Sequence, residues 1–116
     1  MTNALFVYGT LAPGEPAWSH IAPYVTEHRE AAVPGRLYDT GRGYPGAVFA
    51  AGDALVQGWC CTIVDAPLAA LDEYEGSEYR RVTVRCTDGT DAIAYDWIAP
   101  LEDCALIETG TWSARR

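Results

Sequence analysis

The segment from Tyr79 to Ile98 constrains the fold most. Val82 and Val84 alternate with polar residues up to Cys86, Asp88-Gly89 supplies a tight turn, and Asp91 to Ile98 answers as a partner strand. This pattern predicts a β-hairpin, and the rest of the chain has to build around it. Ala4 to Tyr8 is a short apolar run that stops at Gly9, as a buried strand feeding a turn would. Arg29 to Tyr38 and Gly46 to Ala50 read as extended, broken by Pro34-Gly35 and by Gly41-Arg42-Gly43-Tyr44-Pro45; Leu55 to Val64 reads as a further strand. Two helices are expected. The first spans Glu15 to Val25, with Trp18, Ile21, Ala22 and Val25 at helical spacing and Pro16 in its first turn. The second follows Asp65-Ala66-Pro67, an acidic cap and a proline, with Leu68, Leu71 and Tyr74 on one face and Gly76 as the stop. Strands and helices do not alternate regularly, which argues against a doubly wound sheet. The expected fold is α+β: a small mixed β-barrel of about six strands with short appended helices, residues 1–116 forming one domain. Only Ser113 to Arg116 is expected to fray.

Composition removes several function classes. A chain of 116 residues with a formal charge of −8 repels phosphate backbones, so no nucleic-acid partner is expected. No apolar run approaches the roughly 18 residues needed to span a bilayer, and no basic segment precedes the first apolar stretch, so the reading is cytoplasmic without membrane association. All eight basic residues are Arg, which removes Schiff bases, lysine bases and the P-loop. His20 and His28 lack metal-site spacing, and no metal or cofactor is expected. Cys60, Cys61, Cys86 and Cys104 form no CxxC pair and are read as reduced thiols. Cys60 and Cys61 should point to opposite faces of their strand, one into core and one lining something.

Two segments carry chemical signal. Leu71-Asp72-Glu73-Tyr74-Glu75-Gly76 crowds carboxylates at a helix C-terminus, where the macrodipole disfavours negative charge by a few tenths of a kcal/mol. Acidic surface is the plain explanation; a site that uses the charge is the other. Tyr8-Gly9-Thr10-Leu11, directly after the first strand, would expose consecutive backbone N–H groups as a cradle for a carboxylate or oxyanion, though an isolated YGT is more often an ordinary strand-ending turn.

Taken together with Gly14-Glu15-Pro16, Gly35-Arg36-Leu37-Tyr38, Gly43-Tyr44-Pro45, Val56-Gln57-Gly58, Tyr79-Arg80-Arg81 and Gly110-Thr111-Trp112, these segments resemble the gamma-glutamylcyclotransferase-like family, in particular its small bacterial branch. The likeness spans nearly the whole chain. It implies a small mixed barrel with a cavity at one end and a catalytic glutamate just before the motif glycine, here Glu75. Ala12, Ala17 and Trp18 depart from the basic or polar residues often found in such chains, and Gly46 stands where alanine is usual.

The implied reaction is cofactor-independent. The α-amine of a γ-glutamyl group attacks its own γ-amide carbonyl, closing 5-oxoproline and expelling an amine or amino acid; both reactants share one molecule, so much of the entropic cost is already met. Glu75 would take the proton from the ammonium and return one to the leaving nitrogen. With an α-amine near 8 and a glutamate near 4.3, that transfer is uphill by about 5 kcal/mol unless the site narrows the gap. Asp72, Glu73, Glu78, the helix end and burial are each expected to raise the Glu75 pKa. Tyr8, Gly9, Thr10 and Leu11 would hold the substrate carboxylate or oxyanion. Tyr44 and Tyr79 stand either as substrate contacts or as packing, and only one of Arg80 and Arg81 can face the acidic turn. Rival readings are a silent relative that binds a small ligand or partner, a tailoring cyclotransferase on a γ-glutamylated specialised metabolite, and a nucleophile at Cys60 or Cys61. Trp18, Tyr44 and Trp59 would favour a large or apolar leaving group if they line the mouth.

Overall fold

The hairpin is present in the computed structural model, which describes residues 1–112; the expectation for Ser113 to Arg116 lies outside the described residues. Seven strands are found: β1 Thr2–Val7, β2 Val25–Asp39, β3 Pro45–Phe49, β4 Leu55–Val64, β5 Tyr79–Arg85, β6 Asp91–Trp97 and β7 Ala105–Ile107. Six of them run in the order β3-β2-β4-β1-β6-β5, and β7 pairs with β2 off this path. The sheet is mixed, because β1 lies antiparallel to β4 but parallel to β6. It curls until β3 meets β6, where the Phe49 N–H donates to Asp96 Oδ1 at 3.1 Å. The result is a nearly closed barrel with few short helices.

The strand β1 explains why an uninterrupted apolar run belongs at the centre. Phe6 and Tyr8 point into the barrel beside Val33, Leu37, Ala47, Val56 and Cys60. Leu5 and Val7 point outward into a second cluster with Ile21, Cys61, Ile63, Leu71 and Tyr95. A strand covered on both faces reads as continuous hydrophobicity. The outer cluster is roofed by the loop after β1 and by the helix α1, Leu68–Glu75.

Three sequence expectations are corrected. Glu15 to Val25 is not one helix but two 3₁₀ turns, Trp18–His20 and Ala22–Tyr24. Pro23, which has no N–H and clashes with the preceding turn, prevents a continuous α-helical ladder. Pro34-Gly35 does not break the strand but bends it. Up to Pro34, β2 pairs with β4; from Gly35 it pairs with β3. Gly35 is required there, since a Cβ would lie 2.7 Å from the Val48 carbonyl oxygen. Asp65 does not cap α1. It turns the chain at φ 55° and pairs with the N-terminal amine, leaving Pro67 at the cap position without a side-chain bond. Gly76 does end the helix, at φ 84°, with its N–H donating to the Asp72 carbonyl.

Gly46 has a local cause: a Cβ there would sit 2.7 Å from the Trp97 ring, so the indole occupies the space an alanine would need.

Candidate active site

The barrel ends in a cavity of about 260 Å³ walled by Tyr8, Gly9, Thr10, Leu11, Tyr44, Pro45, Tyr74, Glu75, Tyr79 and Tyr95. All seven residues singled out in the sequence, Tyr8, Gly9, Thr10, Leu11, Tyr44, Glu75 and Tyr79, line this one space. Four different elements deliver them.

Glu75 closes α1. Leu71, one turn earlier, is anchored in the outer cluster, and this fixes the rotation of the helix so that its last residue faces the cavity. Burial pushes the Glu75 carboxyl up to about 7. The expected help from neighbouring acids is not what raises it. Asp72 accepts from Tyr95 Oη at 2.7 Å and faces Arg81 Nε at 3.5 Å. Glu78 pairs with Arg42 and accepts from Tyr44 Oη at 3.0 Å, and the Arg42 bond holds its carboxyl below the usual range. Glu73 is exposed. Arg81 is therefore the arginine that faces the acidic turn, while Arg80 pairs with Asp96.

Three phenols surround Glu75, and each sends its proton elsewhere. Tyr8 Oη donates to the Tyr95 carbonyl at 2.6 Å and accepts from the Ala47 N–H at 3.3 Å. Tyr79 Oη donates to the Pro45 carbonyl at 2.5 Å, and Tyr95 Oη donates to Asp72. Burial holds all three hydroxyls well above the ordinary tyrosine range. Among the described residues no hydrogen bond reaches the Glu75 carboxylate. A carboxylate that is desolvated and offered no donor is a stronger base than its ordinary pKa implies.

Opposite it, the loop after β1 is pinned from within. The Ala12 N–H donates to the Gly9 carbonyl at 3.0 Å and the Ala17 N–H to the Thr10 carbonyl at 2.8 Å. The amides of Gly9, Thr10 and Leu11 donate to no backbone or side-chain acceptor among the described residues. Gly9 is needed for a close approach: a Cβ would lie 2.7 Å from Pro45 Cγ. Thr10 Oγ1 lies 3.5 Å from Tyr74 Oη. Cavity walls of this kind join a free base to free donors.

The cysteines lie elsewhere. Cys60 and Cys61 do point to opposite faces, but both are buried in core and neither lines the cavity, correcting the expectation that one would line something. Burial pushes the Cys61 thiol up to about 12, which disfavours the thiolate a nucleophile needs. Of the three aromatics considered for the mouth only Tyr44 is there; Trp18 packs on His28, and Trp59 lines a separate hollow. Among the described residues no three His, Cys, Asp or Glu side chains gather to hold a metal, and no helix is long and apolar enough to cross a membrane.

Tyr95 was missed by sequence reasoning. Its signal was the hairpin register: Arg81 pairs with Tyr95 across the strands, and both converge on Asp72.

The sequence pattern of the family described as "Gamma-glutamyl cyclotransferase, AIG2-like" matches residues 5–114. The chain belongs to this family. The Gamma-glutamylcyclotransferase family protein ytfP of Citrobacter rodentium is 36% identical over 115 residues, covering 96% of each chain. The Gamma-L-glutamyl-butirosin B gamma-glutamyl cyclotransferase of Niallia circulans is 38% identical over 71 residues; the match covers 61% of this chain and 44% of that protein's length. The crystal structure of an AIG2-like protein from Mus musculus shares the fold, with a TM-score of 0.78 at 20% identity over 97% of this chain and 88% of that one. Within the AIG2-like family frame, Ala12 and Ala17 are accounted for: both are buried against Leu11 and Ile21.

Proposed function

We propose that the protein cyclises a γ-glutamyl group to 5-oxoproline with release of an amine, Glu75 acting as general base and then general acid. The observation that carries this reading is the pairing, in one cavity, of a buried carboxyl raised to about 7 with the unpartnered amides of Gly9, Thr10 and Leu11. In the ground state the amides hold the substrate carboxylate, and an ammonium facing Glu75 gives up a proton to it. The neutral amine attacks the γ-carbonyl and the charge that develops on oxygen is met by backbone donors; as the amide C–N bond breaks, Glu75 returns its proton to the departing nitrogen and takes up the extra proton shed by the ring nitrogen, which the released amine carries away. Raising Glu75 from about 4.3 to about 7 narrows the proton-transfer gap to an α-amine near 8 from about 5 to about 1.4 kcal/mol. Tyr44 and Tyr79 shape the wall, and the Tyr79–Pro45 bond positions the floor under Gly9.

Membership of the family and the names of both relatives support a cyclotransferase. The decisive assay is 5-oxoproline release from a panel of γ-glutamyl amines and γ-glutamyl amino acids. Release by the native chain and its loss in Glu75→Gln is the expected result. Binding without turnover in the native chain would instead identify a silent binder.

A further inference from the structure

The two ends of the sheet path come together at the Glu75 cavity. β3 and β5 are the terminal strands of that path and are not paired with each other among the described residues. Two side-chain bridges join them instead. The inner one is the Tyr79 hydroxyl, which donates to the Pro45 carbonyl at 2.5 Å. The outer one belongs to Glu78, the residue just before β5. Its Oε1 accepts from Tyr44 Oη at 3.0 Å, and its Oε2 accepts from Arg42 Nη1. Arg42 and Glu78 are both partly exposed, and ion pairs of that kind contribute little to stability. The third member sets this one apart, because Tyr44 lines the cavity.

Both sides of the outer bridge are built to hold it. On one side, Gly41 and Gly43, at φ 79° and 91°, turn the chain so that Arg42 and Tyr44 reach the same carboxylate. The buried Thr40 closes that turn, its Oγ1 donating to the Tyr44 carbonyl at 2.6 Å, and Asp39 Oδ1 accepts from the Gly41 N–H at 2.8 Å. On the other side, the Glu78 carbonyl accepts from the Ile98 N–H at 2.9 Å, which ties it to the end of β6. Tyr79 stands between the two carboxylates. Burial first, then the charge of Glu75, then Tyr44 and Glu78, hold its hydroxyl above the ordinary tyrosine range.

We propose that Glu78 is a positioning residue: by tying Arg42 and Tyr44 to the head of β5, it holds the half-buried Tyr44 ring at the rim of the cavity and keeps bulk water from the Glu75 carboxylate. Desolvation is what raises Glu75, so a slack rim weakens it as a base. The link to turnover rests on the cyclotransferase reading, while the link to the environment of Glu75 does not.

Two measurements separate these links. The first titrates Glu75 itself by carbon-13 NMR of its carboxyl. The phenols of Tyr8, Tyr79 and Tyr95 also face it and are held above the ordinary range by burial, and Tyr44 and Tyr74 complete the wall. Asp72 faces Arg81 at 3.5 Å, His20 stacks on Tyr74 at 4.4 Å, and Glu73 is exposed. The native midpoint should lie at about 7. Tyr44→Phe keeps the ring and every charge but loses the bond to Glu78, and should bring the midpoint to about 6 or below. Glu78→Gln and Glu78→Ala change the charge identically, and only Gln keeps acceptors for Tyr44 and Arg42. Ala should therefore move the midpoint as Tyr44→Phe does, while Gln stays close to native. The second measurement is 5-oxoproline release from the best substrate of the panel above. In Tyr44→Phe and Glu78→Ala, kcat should fall about three- to tenfold with KM within about twofold of native, and the acid limb of kcat/KM should move down with the Glu75 midpoint. A midpoint unmoved in both variants, or moved equally by Gln and Ala, would overturn the positioning role. A moved midpoint with native kcat would overturn its part in turnover. If the native chain releases no 5-oxoproline while the midpoints move as expected, the reaction assignment fails and the role of Glu78 at the rim stands.

Discussion

Two acidic turns flank β5, and they do opposite things with the same ingredients. At one end, Glu75-Gly76 buries a carboxylate with no donor and lifts its pKa to about 7. At the other, Asp88-Gly89 places a carboxylate in reach of Arg29 Nη2 at 2.8 Å, Arg29 Nε at 3.2 Å and the Thr90 N–H at 3.0 Å, and the Arg29 bond chiefly takes it down to about 2. Sequence position before a glycine is shared; compensation is not. A carboxylate surrounded by donors holds β2 to the hairpin, whereas one deprived of them is left free to exchange protons.

The sharpest way to break the contrast is to remove the carboxylate proposed as the base. Glu75→Gln should cut 5-oxoproline formation by roughly 10²- to 10⁴-fold, the usual worth of general acid–base catalysis, while the far-UV spectrum stays native. In the native chain kcat/KM should rise as pH passes through about 7, following ionisation of Glu75 in the free enzyme, and fall again above about 8, where the free α-amine has lost the proton that Glu75 must return. A profile that levels off near pH 4 would put the base elsewhere.

Stability should respond next most strongly. Glu75 has a folded pKa raised above its unfolded value, so its favourable contribution is full below about pH 4.3 and is lost as pH rises through about 7. Above that, burying the charge costs roughly 3 kcal/mol. Chemical denaturation should therefore find Glu75→Gln more stable than the native chain at pH 8 and closely matched to it at pH 4.

Smaller effects sharpen the comparison. Tyr95→Phe removes the donor to Asp72 and should cost about 1 kcal/mol of stability, with a fall in kcat from a less firmly held helix end. Asp88→Asn should do least. Asp88 is exposed, its folded pKa is depressed, and its support is present near neutrality and disappears as pH falls through about 2. A slight drop in Tm at pH 7 with unchanged kcat is expected; a loss of turnover would mean that the hairpin end communicates with the cavity.

Much of this could be read in advance where the code is local. Asp88-Gly89 fixed the hairpin to within a residue of its observed ends, Gly76 stopped α1, and β1 and β4 followed from their apolar runs. Local rules failed where a distant partner decides. Pro34-Gly35 carries turn residues, yet β4 and β3 capture successive halves of one bent strand. The helical spacing from Trp18 to Val25 was outweighed by Pro23, and Ala105–Ile107 is too short for alternation to register. The cavity residues were legible as motifs, but Tyr95 needed the strand register. The cause of the Glu75 shift needed three dimensions, because only the folded chain shows Asp72 and Glu78 already engaged by arginines and tyrosines.

The Tyr8 hydroxyl, which bonds to both the Tyr95 carbonyl and the Ala47 N–H, makes a single oxygen the rivet of the barrel seam and part of the cavity wall. Local opening at that seam exposes the Ala47 amide to solvent and dismantles the cavity in the same event. Isotope exchange at one buried amide thus reports openings of the seam that also disturb the cavity wall.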